Sequence, residues 1–415
     1  MSGPVTFELT DASYTLSATG NTGGVALDLT GYISGMSGTN TVTFQPSLER
    51  SLTRGSIEIT LNSTNGIGVL FGQNLMPTNQ QALGREFPTV RAYSNSAGNF
   101  IFDGGSQKSI RVTLKASTEF RAPFYLGDGS QSIKLRNMII GNAAGTSPSY
   151  ANSLPRVLFT NGQFTFEADQ RSVGGVSHTY SGGIVDRNKV PVGITGNNSE
   201  RLDTTAGSGN EYSGNEISGF GYGIVSLGIG TLLKGGVNEF RPYYSTGTQI
   251  NHNVIYDVGR AGIAAGYQDK LQVKGNRIYG VGSSSEVAGK DGAAVQGAPA
   301  ADDAMGILLG GVNQYNVQNA VVSGNEISGI RGTYMSRGIV IEQVRNAYQS
   351  VSASGGMYYA PSSAERTLVT GNTVWGLSRG STMGNLGGIH LLTGRNGASL
   401  ETPASADYFT RGDTV

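Results

Sequence analysis

The chain has 415 residues, a length that suits two or three compact domains or one long repetitive one. Glycine supplies 64 of them, about 15% where ~7% is usual, and only 14% of residues are charged where ~25% is usual. Lys plus Arg equals Asp plus Glu at 29 each, so the basic field that nucleic acid or an anionic membrane attracts is missing, and the absence of cysteine excludes disulfides and thiolate chemistry. In chain order, the predicted elements are short alternating strands: Val5-Thr-Phe-Glu-Leu9, Ser13-Tyr-Thr-Leu16, Val42-Thr-Phe44, Ser56-Ile-Glu-Ile-Thr-Leu61, Phe100-Ile-Phe102, Ser109-Ile-Arg-Val-Thr-Leu114 and Ser132-Ile-Lys-Leu135. Gly, Asn, Asp or Ser follows them. Helix periodicity is nearly absent, and no apolar run approaches the ~18 residues of a membrane helix.

The second half repeats itself. One phrase runs Gly214-Asn215-Glu-Ile217-Ser-Gly219, Gly275-Asn276-Arg-Ile278-Tyr-Gly280, Gly324-Asn325-Glu-Ile327-Ser-Gly329 and Gly371-Asn372-Thr-Val374-Trp-Gly376, with the variant His252-Asn253-Val-Ile255-Tyr-Asp257. A second phrase follows each: Tyr222-Gly-Ile224, Ala261-Gly-Ile263, Met305-Gly-Ile307, Arg337-Gly-Ile339 and Gly387-Gly-Ile389. A weaker strand precedes the asparagine, as in Thr248-Gln-Ile250 and Leu271-Gln-Val273. From Asn253 to Asn276 is 23 residues, one turn of a three-sided solenoid with very short strands. The other intervals are 38, 49 and 47 residues, and the 38 and the 49 fit one turn plus an insertion or two turns of which one lacks the phrase.

One such coil cannot bury its own apolar residues. Stacking coils pairs each strand in parallel with its copy ~4.8 Å away. The inward Ile and Val then form columns, Asn215, Asn253, Asn276, Asn325 and Asn372 form an amide ladder, and glycine supplies positive-φ turns. The expected fold is all-β: a single-stranded right-handed parallel β-helix with lateral loops. Residues 1–95 read as a β-rich cap and first coils, and 96–415 as the β-helix proper. Loop insertions are expected at about 143–192, 229–247, 282–303 and 346–365.

The Gly-Asn-x-Ile-x-Gly phrase, with Phe102-Asp-Gly-Gly-Ser106 and Asp128-Gly-Ser-Gln-Ser-Ile-Lys-Leu-Arg-Asn137, resembles the right-handed parallel β-helix, or pectate-lyase-like, superfamily. It is similar to secreted bacterial cell-surface proteins of that fold. The resemblance covers roughly residues 95–395 and implies fold more than activity, since the superfamily spans lyases, hydrolases, epimerases, tailspikes and adhesins.

A lyase of this type needs a basic residue, and Asp257, Arg260, Lys274 and Arg277 lie on adjacent coils. A solvated charged wall is the plainer account of them. A glycosidase needs two carboxylates some 5–10 Å apart. Asp302-Asp303 is an adjacent acidic pair, without the companion motifs of the polygalacturonase group, and reads as a loop tip. Tyr243, Tyr244, Tyr358 and Tyr359 can stack on sugars or clamp their own loops to the wall. No metal-ligand spacing is present; calcium is compatible with loop carboxylates but required by no motif. Arg411-Gly412-Asp413 spells an integrin-type tripeptide and reads as chance.

The leading expectation is an extracellular structural or adhesive surface protein, a rigid rod displaying loops and pairing end to end through its terminal coils. Alternatives are a polysaccharide lyase, glycoside hydrolase or tailspike-like depolymerase acting in a surface groove, and a non-catalytic glycan-binding module. No nucleic-acid partner and no membrane span are expected. Met1-Ser-Gly-Pro4 shows no leader, so export implies a leader already removed or another route.

Overall fold

The computed structural model describes residues 2–19, 23–29, 33, 35–72, 98–116, 121–127, 130–142, 182–187, 207–228, 230–234, 239–282, 303–310, 317–332, 335–345, 367–379 and 385–395, with short strands at 157–160, 163–166, 172–173, 176–177, 347–349 and 357–359. Alternation of period two gives strands of mostly three to seven residues, too short to pair within one coil. They pair between coils instead, in parallel, as three sheets of nine, ten and nine strands. These are called A, B and C in the order the chain visits them, and the chain winds through nine coils. The first is Val5–Leu9, Ser13–Ser17 and Leu27–Leu29; the fifth is Glu211–Ser213, Glu216–Ser218 and Tyr222–Leu227; the ninth is Leu368–Thr370, Thr373–Trp375 and Asn385–Arg395. The result is a three-sided parallel β-helix.

Register is continuous along each wall. In sheet B, Tyr14, Ile59, Val112, Ile140, Ile217, Ile255, Ile278, Ile327 and Val374 are successive partners. In sheet A the inward column is Phe7, Phe44, Phe102, Leu135, Tyr212, Ile250, Val273, Val322 and Val369. Its first three rings stack at 5.1 and 4.6 Å between centroids. These columns form one apolar core running the length of the helix. Each of the intervals of 38, 49 and 47 residues is therefore a single turn plus an insertion.

From the fourth coil to the ninth, the passage from sheet A to sheet B takes two residues. The first needs a left-handed φ, supplied by Gly214 (66°), Gly275 (61°), Gly324 (63°) and Gly371 (63°), and by His252 (55°) and Asn137 (53°) in the variant coils. The second is the ladder asparagine. Asn253 Nδ2 donates to Tyr212 O at 2.8 Å and to Asn276 Oδ1 at 3.0 Å, and the backbone N–H of Asn253 donates to the same Oδ1 at 2.9 Å. Asn276 repeats this with Ile250 and Asn325, and Asn325 with Val273 and Asn372. At the lower end Asn215 Oδ1 accepts from the N–H of Met138, which holds the ladder position one coil earlier. Every amide proton of an interior rung is used, which the low-dielectric interior demands.

The stretch expected as one insertion at 143–192 contains a coil strand, Gly182–Arg187, which pairs with Ala122–Leu126 and Tyr222–Leu227. The stretch at 229–247 holds an antiparallel pair, Gly230–Lys234 with Glu239–Tyr243. It ends in Ser245–Thr246, which joins Gln268–Asp269 and Val317–Gln318 in a small parallel sheet. Residues 283–302 lie outside the described residues, and within 346–365 only Ala347–Gln349 and Met357–Tyr359, an antiparallel pair, are described.

Candidate functional site

The six chemistry candidates fall on different walls. Asp257 occupies the glycine position that ends the sheet B phrase: its φ is 51°, where Gly219 has 83° and Gly280 65°, and its carbonyl accepts the N–H of Gly219. Its conformation is a turn role. Lys274 and Arg277 flank Asn276 but lie on sheets A and B, so they face apart. Lys274 Nζ donates to Gln272 Oε1 at 3.0 Å, and Arg277 stands 4.0 Å from Glu326 and 5.4 Å from the Tyr279 ring centre. Asp303 opens the strand Asp303–Gly310 of sheet C; Asp302 lies outside the described residues. Arg260 stands at the corner between sheets B and C, nearly buried. Of the tyrosines, Tyr244 is half-buried against the outer side of sheet C, its ring 6.0 Å from that of Tyr267. Tyr243 ends one lateral strand, and Tyr358 and Tyr359 lie in another.

On walls A and B four carboxylates meet guanidinium groups of other coils. Glu58 pairs with Arg111 at 3.6 Å, Glu211 with Arg136, Glu216 with Arg54, and Glu326 with Arg277. Glu58/Arg111 and Glu326/Arg277 are direct register partners, so these pairs link coil to coil. Arg54 lies in the loop after Val42–Pro46 and bridges from the second coil to the fifth. Burial alone would raise the Glu216 carboxyl; the hydrogen bond and charge of Arg54, the Tyr256 hydroxyl and the charge of Lys108 outweigh it and hold it below the ordinary 4.5. Glu211 is lowered in the same way, with Arg136 overcoming burial. A carboxyl held ionised is a poor proton donor near neutral pH, so neither supplies a general acid. Tyr256 and Tyr279, partners on sheet B, stack on each other at 5.2 Å and 6°. Each thus presents one ring face to the other. Among the described residues no group of three His, Asp or Glu side chains is placed to hold a metal.

Two features lay beyond the reach of sequence reasoning. The first is inside the helix. Leu29, Phe71, Leu126, Asp186, Ser226, Ala265, Leu309 and Ile341 are successive register partners in sheet C, so a carboxylate occupies an inward column. Asp186 is wholly buried, and its Oδ2 accepts from Tyr212 Oη (2.7 Å), Ser226 Oγ (3.1 Å) and Asn210 Nδ2 (3.2 Å). Ser226 Oγ in turn accepts from Gln268 Nε2 at 3.1 Å. Burial, then the Asp186 charge, pushes the Tyr212 hydroxyl well above its ordinary 10.0, so it remains a donor. The register of Asp186 beneath Ser226 was the available signal, and the irregular spacing around 143–192 hid it.

The second feature is the outer side of sheet C. Sheets A and B bury one face, as the alternating burial of Ile57–Ser63 shows, whereas Ile67–Phe71, Ala122–Leu126, Tyr222–Leu227 and Ala261–Gly266 are buried on both. Tyr222, Val225, Ala264, Met305, Leu308 and Val340 form an apolar cluster outside the main core. A wall of this composition is not a polar catalytic groove.

Fold and walls together define a parallel β-helix protein. Residues 241–402 match the family model described as right handed beta helix region. No curated protein sequence matches the chain. Among solved structures it is similar to the Streptococcus pneumoniae surface protein and adhesin PfbA, at 12% identity and a TM-score of 0.39 over 95% of this chain and 89% of that one. It is similar to the Dettilon tailspike protein at 12% identity and a TM-score of 0.34, over 94% of this chain and 60% of that one. It is also similar to the A-module of the Azotobacter vinelandii mannuronan C-5 epimerase AlgE6, at 13% identity and a TM-score of 0.31, over 96% and 92%. Likenesses at this level carry no argument about function.

Proposed function

We propose that the chain is an extracellular structural or adhesive element, a rigid β-helical rod whose side walls and lateral loops form its contact surface. The observation that carries this reading is the use of wall charge: Glu58, Glu211, Glu216 and Glu326 each meet an arginine of another coil, so polar groups brace the stack and are not gathered in a cleft. The ladder and the three columns add stiffness along the axis. None of the described helical segments is long and apolar enough to cross a membrane. Incubating the purified chain with a panel of acidic and neutral polysaccharides tests the reading. Retention on immobilised glycan or whole cells without unsaturated uronate or new reducing ends is expected; sustained release of either product overturns it.

End-to-end pairing belongs to the same proposal. Phe7 in the first coil is 51% exposed, and Leu386 in the ninth is 50% exposed, with Trp375 and Ile389 open beside it. Parallel pairing with another copy would cover such surfaces. Concentration-dependent sedimentation that persists after Phe7→Asp and Trp375→Asp together would count against it.

A further inference from the structure

Side chains alternate across sheet B, so the residues on either side of the inward Ile255, Ile278, Ile327 and Val374 point outward. From the sixth coil to the ninth they form two columns. Val254, Arg277, Glu326 and Thr373 are successive partners in one, and Tyr256, Tyr279, Ser328 and Trp375 in the other. Below the sixth coil this face is closed. Arg54, from the loop after Val42–Pro46, reaches across it to Glu216, and the Tyr256 hydroxyl donates to the same carboxylate at 3.1 Å. Above, the face is open: Trp375 is 48% exposed, and the side chains of Arg277 and Glu326 are 66% and 59% exposed.

An exposed file of aromatic rings beside an arginine has the composition of an interface, not of a solvated wall. The order of the residues points to the partner. Tyr256 covers one ring face of Tyr279 at 5.2 Å, but toward the eighth coil the file skips a ring, and Ser328 leaves a gap. Over the same step the neighbouring column changes sign, from Arg277 to Glu326. A half-turn about an axis along the strand direction, midway between these two coils, exchanges the seventh coil with the eighth and the sixth with the ninth. It sets Tyr279 of each copy over Ser328 of the other, Arg277 over Glu326, and Tyr256 over Trp375. Ring meets gap and cation meets anion, and at these positions no like charges face each other.

We propose that wall B, from the sixth coil to the ninth, is the interface of a two-fold symmetric dimer of this chain, with the two helix axes running in opposite directions. A second copy fits better than any other occupant because the surface is complementary to itself in both shape and charge. The sixth and ninth coils lie three coil spacings apart, ~14 Å. So low a patch covers less than the ~1,000 Å² of a stable interface, and the dimer is therefore a weak one that forms at high concentration. The inference rests on the reading of the side walls as contact surface, and not on end-to-end pairing.

Trp375 is the sole tryptophan of the chain, so its emission reports on this face. The test follows the full chain by sedimentation velocity and tryptophan emission up to about millimolar concentration. Arg277→Glu and Glu326→Arg are the probes. Either one alone puts like charges opposite each other twice in the dimer, whereas an equimolar mixture of the two variants restores both attractive pairs. The wild-type chain should pass from monomer to dimer with a blue shift of its emission. Each variant alone should need a concentration about tenfold or more higher, and the mixture should recover the wild-type transition. Ser328→Tyr fills the gap without touching charge and should weaken the dimer as well. End-to-end pairing would add copies beyond two and ignore residues 277 and 326, so the two readings fail separately. A wild-type chain that stays monomeric, a mixture no better than its components, or a Trp375 signal that answers only to an added neutral oligosaccharide such as maltotriose overturns the proposal.

Discussion

A Cβ on Gly223 would lie 2.4 Å from Cγ2 of Ile255 and 2.5 Å from the carbonyl oxygen of Gly262. Gly223 belongs to sheet C of the fifth coil and Ile255 to sheet B of the sixth, so one coil's glycine makes the space that the next coil's isoleucine fills. The contact recurs at Gly183 with Ile217 (2.3 Å), Gly262 with Ile278 (2.5 Å), Gly306 with Ile327 (2.4 Å) and Gly338 with Val374 (2.4 Å). The two sequence phrases are thus two halves of one lock, repeated up the stack.

Gly183 tests the lock most cleanly. Its backbone is not left-handed, and its nearest obstruction is a side-chain methyl, with the next backbone atom at 3.1 Å. Gly183→Ala should cost about 1–3 kcal/mol by overpacking. Ile217→Ala alone should cost about 2–5 kcal/mol through the cavity it leaves. The double variant should be less destabilised than the sum, with a coupling of about 0.5–3 kcal/mol. Strict additivity in denaturant unfolding would show that the two residues do not share a contact.

The ladder predicts a gradient. Asn276→Ala removes a rung whose oxygen accepts from both the backbone N–H and the Nδ2 of Asn253, and strands those buried donors. A loss of about 2–4 kcal/mol is expected, since each orphaned buried group costs about 1–3 kcal/mol. Asn372, half-buried at the end of the ladder, should cost less when changed to Ala. Equal losses at the two positions would contradict a continuous ladder.

Inside the core, Tyr212→Phe takes the shortest hydrogen bond from Asp186 and leaves the carboxylate fully buried. The expected loss is about 1–3 kcal/mol at neutral pH. In an Asp186→Asn background the same change should cost less, because the bond it removes no longer ends on a carboxylate. An equal loss in both backgrounds would assign Tyr212 to packing alone.

Acid should act on the stack in two windows. Burial first, then the Arg337 charge, holds the His390 imidazole below its ordinary 6.5. The folded ninth coil therefore favours neutral histidine; that stability is present above pH 6.5 and is lost as pH falls through the depressed value. The carboxyls of Glu211 and Glu216 are depressed below 4.5, so their contribution is present above 4.5 and is lost at more acidic pH still. Hydrogen exchange should show 385–395 loosening before 211–218, and His390→Gln should abolish the first step. Simultaneous loosening of both segments would refute the order.

The repeat was legible because its causes are local to each coil. A left-handed φ before the ladder calls for Gly214 or Gly275, the inward place after it for Ile217 or Ile278, and the ladder itself for Asn215 or Asn276. The lateral strands and the Asp186 network were not legible. Insertions such as 143–192 break the period on which reading by pattern depends. Nothing near Asp186 in sequence announces that Tyr212, Asn210 and Ser226 will turn donors toward it.

What the amino-acid sequence determined by itself is the solenoid: its three walls, its filling and its rungs, because each coil repeats the same short-range requirements. Only the tertiary structure decided which charges matter. Arg54 reaches Glu216 across three coils, Asp257 serves as a turn residue, and Arg260 is buried at a corner. Those outcomes depend on how far each insertion displaces one coil's residues along the chain from the neighbours they meet in space, and a linear pattern carries no measure of that distance.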